Sequence, residues 1–137
     1  MLKNSSLIAI FVASVVVCST ANALEPSVSF TKPAANAKVT NPVEICLEVA
    51  GVELEAAKKG VNAGKGHLHI LIDTEVTDPT MPLATDKPDH IVHMGDATKC
   101  RTLTLAKGEH KLSGVFTNGA HIPGTPVLST SIQINVE

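Results

Sequence analysis

The chain has 137 residues, with 13 acidic and 11 basic side chains, a formal net charge of −2 at pH 7, no Trp, no Tyr and three Phe. Without a basic run or aromatic platforms it lacks what binds nucleic-acid bases and sugars, which argues against nucleic-acid and glycan partners. The length suits one domain with a single core.

The first residues read as a leader. Lys3 gives a short positive start, residues 7–18 are mostly apolar, and Ala21-Asn22-Ala23 has the small-x-small pattern of a signal-peptidase site. The apolar stretch is shorter than the roughly 20 residues of a transmembrane helix, so no membrane span is expected in the mature chain. Cleavage after Ala23 divides the sequence into a signal peptide (1–23) and a domain (24–137), periplasmic or secreted. The alternative is a lipoprotein acylated on Cys18, against which Val17 stands where Gly, Ala or Ser is favoured.

Short alternating apolar runs follow at residues 28–30, 43–49, 68–72, 91–94, 103–105, 112–116 and 128–136, separated by Pro, Gly and Asn. About seven short strands with turn signals between them predict an all-β fold, a single immunoglobulin-like antiparallel β-sandwich. The only helical candidate, 52–59, is short and lies between strands. Two connections, 51–66 and 74–89, are long enough to expect a role in function.

The mature chain keeps Cys46 and Cys100, and an even count in an exported domain reads as a disulfide. In 43–49 the core positions are Val43, Ile45, Leu47 and Val49, which turns Cys46 outward. In 99–105 they are Leu103 and Leu105, which turns Cys100 outward. Two outward cysteines cannot bridge the sheets through the core, but they can join adjacent antiparallel strands on an outer face. Immunoglobulin-type order makes the second and fifth strands such neighbours.

All six histidines lie from His67 onward. In Gly66-His67-Leu68-His69-Ile70-Leu71-Ile72-Asp73 a strand places Leu68, Ile70 and Ile72 on the core side and His67, His69 and Asp73 on the other. Two imidazoles one strand repeat apart can share a metal ion. His121, in Gly119-Ala120-His121-Ile122-Pro123, supplies a third donor, and His93 or Met94 a fourth, although the 91–94 strand is expected in the opposite sheet. Imidazoles with an available thioether favour copper or zinc over hard cations. The competing reading is a solvated polar face with no metal. His110, after Lys107-Gly108-Glu109, reads as a structural turn residue, Asp73 as a turn former or an acceptor behind a ligand, and His90 as open between loop and site. No nucleophile elbow, phosphate loop or zinc-protease motif occurs, so no catalytic residue is expected.

Taken together, Gly66-His67-Leu68-His69-Ile70-Leu71-Ile72-Asp73, His93-Met94-Gly95, Lys107-Gly108-Glu109-His110-Lys111-Leu112 and His121-Ile122-Pro123 followed by Pro126-Val127 and Ser129 resemble a family of small exported bacterial domains of unknown function. Its hallmark is Gly-His-His-His-Leu-Leu-Ile-Asp, with a later His-Phe-Gly, a Gly-x-His-Thr-Leu turn and a His-x-Pro loop. The chain departs from it at Leu68, where a third histidine is usual, and at Met94 in place of Phe. The resemblance spans most of 31–136, implies one exported sandwich-like domain and supplies no activity. A weaker likeness, in Gly66-His67-Leu68-His69 and His93-Met94-Gly95-Asp96, is to copper,zinc superoxide dismutase, whose bridging histidine, zinc-loop ligands and rim arginine have no clear counterparts here.

The expectation is therefore an exported module that holds copper or zinc through His67, His69 and His121 with His93 or Met94, as a carrier, buffer or accessory to another periplasmic protein. A metal-free structural or interaction domain is the alternative, and a copper enzyme comes third.

Overall fold

Alternation of apolar and polar side chains builds nine strands over the part of the chain that the computed structural model describes, residues 16–17 and 22–137. Cys18 and nearly all of the expected leader lie outside the described residues. The strands are β1 (Ser27–Lys32), β2 (Ala37–Val39), β3 (Val43–Ala50), β4 (Glu53–Leu54), β5 (Lys65–Ile72), β6 (Ile91–Met94), β7 (Cys100–Leu103), β8 (Gly108–Thr117) and β9 (Ser129–Val136). Beyond the seven expected, β2 and β4 are too short to show a period, and both pair in parallel, β2 with β9 and β4 with β5. The helical expectation at 52–59 reduces to β4 and one 3-10 turn, Ala57–Lys59, which ends at Gly60 with φ 76°.

The strands form two sheets, β1-β3-β7 and β2-β9-β8-β5-β4, with β6 also paired to β5. Val28, Val43, Ile45 and Leu47 from the smaller sheet meet Leu68, Ile70, Ile72, Leu112, Phe116, Ile134 and Val136 from the larger. Burying a side chain such as Ile45 or Leu68, each with no exposed surface, stabilises the fold by about 1.5–3 kcal/mol. This is the sandwich that the alternation predicts.

β3 and β7 are antiparallel neighbours with Cys46 directly opposite Cys100, and the two are joined by a disulfide. The bridge closes a loop of 54 residues' separation, worth about 4 kcal/mol on the chain-entropy account.

Two expectations are corrected. β6 does not join the smaller sheet. The long 74–90 connection returns the chain antiparallel along the free edge of β5, so His93 lies directly opposite His69. Nor is the second face of β5 open to water: His67, His69 and Leu71 have no exposed surface and Val115 almost none. The 74–90 and 118–128 connections fold over that face and are tied together by Leu83 N–H donating to His121 O (2.9 Å) and Gly124 N–H to Pro79 O (2.9 Å). Among the described residues, no helix is long and apolar enough to cross a membrane.

Candidate metal centre

Strand parity brings His67 and His69 to one face of β5, with Leu68 and Ile70 turned into the core behind them. Antiparallel pairing adds His93 from β6. On the other side of β5, His67 pairs with Thr117, the last residue of β8, after which the chain turns sharply over the site. Asn118 builds that turn: its Oδ1 accepts Ala120 N–H (2.9 Å) and Ile122 N–H (3.1 Å), while its carbonyl accepts His121 N–H (2.9 Å). His121 takes a left-handed conformation, φ 67°, which points the ring back at the strands.

The four rings meet. One ring nitrogen from each of His67, His69, His93 and His121 lies within 4.8 Å of the others. His93 Nε2 is 3.2 Å from His67 Nε2 and 3.0 Å from His121 Nε2. A tetrahedral ion with bonds of ~2.05 Å would set its nitrogens ~3.3 Å apart, close to both distances. The single proton or lone pair on His93 Nε2 can satisfy one of these contacts as a hydrogen bond, not both. The Thr117 hydroxyl lies beneath, 3.4 Å from both His67 Nε2 and His69 Nδ1. His69 Nε2 and His67 Nδ1 are buried with no hydrogen-bond partner among the described residues. Leaving such a group unsatisfied costs ~1–3 kcal/mol.

Electrostatics keep His67 and His69 neutral. Burial first, then the neighbouring His121 and His93, pushes His67 down to about 4. Burial, then the other three imidazoles, pushes His69 down to about 3. His93 is also lowered, by burial and then by His121. Unprotonated imidazole is the form that ligates metal, and His67 and His69 are in that form at neutral pH.

Met94, expected as an alternative donor to His93, goes elsewhere. It has the parity of Val92, lies opposite Leu68 and is fully buried in the hydrophobic core. His93 and not Met94 therefore faces the cluster. His110 sits at the opposite end, its Nδ1 2.6 Å from Asp73 Oδ2 and its Nε2 2.8 Å from Ala106 O. Asp73 leaves the histidine face because its φ of 53° breaks the alternation, and it also accepts Lys111 N–H (2.8 Å). His90 is exposed beside that second cluster, in a cavity it shares with Asp73 and His110.

Three supporting positions went unrecognised in the sequence: Thr117, Asn118 and Gly95. A Cβ on Gly95 would lie 2.2 Å from two atoms of the His93 ring, so only glycine admits that ring orientation. Asn118-Gly119 is a turn dipeptide legible in principle. Gly119 is also required for packing, since a Cβ there would sit 1.9 Å from Gly60 O.

A family model described as "Domain of unknown function (DUF4399)" matches residues 45–137, a span that contains all four histidines. No curated protein matches the chain. Among solved structures, the fibronectin(III)-like modules of Clostridium thermocellum CbhA align at 15% identity and TM-score 0.50, over 82% of this chain and 47% of that one. The endo-beta-1,4-mannanase from Thermotoga petrophila aligns at 15% identity and TM-score 0.47, over 83% of this chain and 20% of that one. This chain thus spans under half the length of either. The likeness to the fibronectin(III)-like modules is one of fold, a two-sheet sandwich.

Proposed function

The chain belongs to the DUF4399 family, and on that premise we propose that it is an exported, periplasmic metal-binding module. It holds one copper or zinc ion through His67, His69, His93 and His121 and serves as a carrier, buffer or accessory to another periplasmic protein. The observation that carries this reading is the convergence of four imidazoles, two of them wholly buried, on one point beneath a turn shaped to aim the fourth. A metal-free scaffold has no use for such an arrangement: it would bury polar rings that repel protons and leave two ring nitrogens unpartnered.

Native mass spectrometry of the purified protein with zinc(II), copper(II) and copper(I) tests it. One ion per chain at micromolar metal is expected, lost in the His67→Ala/His69→Ala variant with the disulfide-tied fold retained by circular dichroism. No uptake of any of the three, or uptake unchanged in the variant, rejects the site and leaves an exported scaffold.

A further inference from the structure

The six distances between the four ring centres say more about the ion than the residue types do. They are 5.0 Å (His67–His69), 4.9 Å (His67–His93), 4.8 Å (His67–His121), 5.1 Å (His69–His93), 5.7 Å (His69–His121) and 4.7 Å (His93–His121). Four points in a plane cannot be nearly equidistant: in a square, the most even case, the diagonals are ~1.4 times the sides, so a tetragonal ligand plane would show that spread. Here the largest distance is only about 1.2 times the smallest. A tetrahedral ion with Zn–N bonds of ~2.05 Å holds its imidazole centres ~3.2 Å away and ~5.2 Å from one another, which the observed distances bracket.

From this we infer that the site imposes a tetrahedral field of four nitrogens and is built for zinc(II), with copper(II) disfavoured; the inference rests on the metal-binding reading above. Copper(II) and nickel(II) prefer a tetragonal plane, which this set reaches only by moving rings off their strands. Copper(I) accepts tetrahedral geometry but favours sulfur. Met94 is turned into the core, Met81 is exposed on the 74–90 connection, and both described cysteines are spent in a disulfide on the other sheet. Zinc(II), with no electronic preference for a plane and a ready affinity for imidazole, remains.

The framework resists relaxation towards a plane. His67 and His69 are fixed on β5 between two partner strands, and the His93 ring lies against Gly95. Four protein donors also close the coordination sphere, the arrangement of sites that hold an ion and do not present it to substrate. Release then requires one ring to leave, and His121 is the donor carried by a turn and not by a strand.

Cobalt(II) reports the geometry directly, and competition reports its consequence. The cobalt(II)-loaded protein should show the visible bands of a tetrahedral centre, about tenfold more intense than those of aqueous six-coordinate cobalt(II). The Kd ratio of zinc(II) to copper(II) should rise at least about tenfold in His121→Ala, where three remaining donors plus water admit a tetragonal plane. Weak six-coordinate bands, or a ratio unchanged or lower in His121→Ala, would overturn the tetrahedral inference while leaving metal binding itself standing. Failure of wild type to take up cobalt(II), zinc(II) or copper(II) would overturn both.

Discussion

At one end of the sandwich four histidines touch one another, and three of them are pushed below the ordinary imidazole range; at the other, His110 lies between a carboxylate and a carbonyl and is pushed above it. Burial opposes the charge at both ends. For His67, His69 and His93 it is joined by neighbouring imidazoles, and the shift is downward. For His110 burial alone would lower the pKa, but the bond to Asp73, the bond to Ala106 O and the charge of Asp73 reverse the sign. A neutral imidazole has one N–H and cannot donate to both Asp73 and Ala106, so the two contacts themselves call for the cation. Burial is the largest single influence at both ends, and the partners decide the sign. The four rings gather their nitrogens at one point, whereas His110 ties the end of β5 to the start of β8.

The sharpest way to break this contrast is to disturb the four-ring cluster without removing a ligand. Gly95→Ala should drive the His93 ring out of place and weaken zinc affinity about 100-fold, the scale on which positioning groups act at metal sites. Isothermal titration calorimetry measures it, and affinity within about threefold of wild type would mean that His93 is not fixed by Gly95.

A more moderate effect is expected on the pH dependence of metal-free stability, followed by urea unfolding. Between the usual histidine value of 6.5 and the folded values of about 4 for His67 and about 3 for His69, the unfolded chain binds more protons than the folded one. That contribution is complete above about 6.5 and declines as pH falls through the window. His110 has the opposite sign: its folded pKa is raised, so its contribution is complete below 6.5 and declines as pH rises through the raised value. Asp73→Asn should flatten the alkaline limb and leave the acid limb above 3.8, below which the lowered carboxyl of Asp73 itself acts, and His67→Ala/His69→Ala should flatten the acid limb and leave the alkaline one. Both variants acting on the same limb would show that the two ends are not electrostatically distinct.

Smallest of all should be Met94→Leu. A volume-conserving change in the core costs under about 1.5 kcal/mol and should leave zinc affinity unchanged. Loss of zinc with the fold intact would return Met94 to the ligand set.

Much of this was legible because strand parity is local. The alternation in 66–73 placed His67 and His69 together and Leu68 in the core, and the same reasoning in 43–49 and 99–105 put Cys46 and Cys100 on one outer face, where the disulfide forms. What parity could not tell was decided by long-range packing. Which sheet β6 joins depends on where the 74–90 connection returns, and that choice seats His93 at the cluster and Met94 in the core. The burial of the histidine face comes from two connections whose sequences carry no period. Asp73 escaped because a single positive φ at a strand end reverses where the side chain goes. Gly95 was silent because its role is to be small beside a ring brought there by the fold.

The most direct test of the account is the anomalous difference map of a crystal grown with stoichiometric zinc and collected at the zinc edge. The expected result is one peak per chain, about 2.0–2.1 Å from a ring nitrogen of each of His67, His69, His93 and His121. A peak elsewhere, or none with the four rings still gathered, would contradict it.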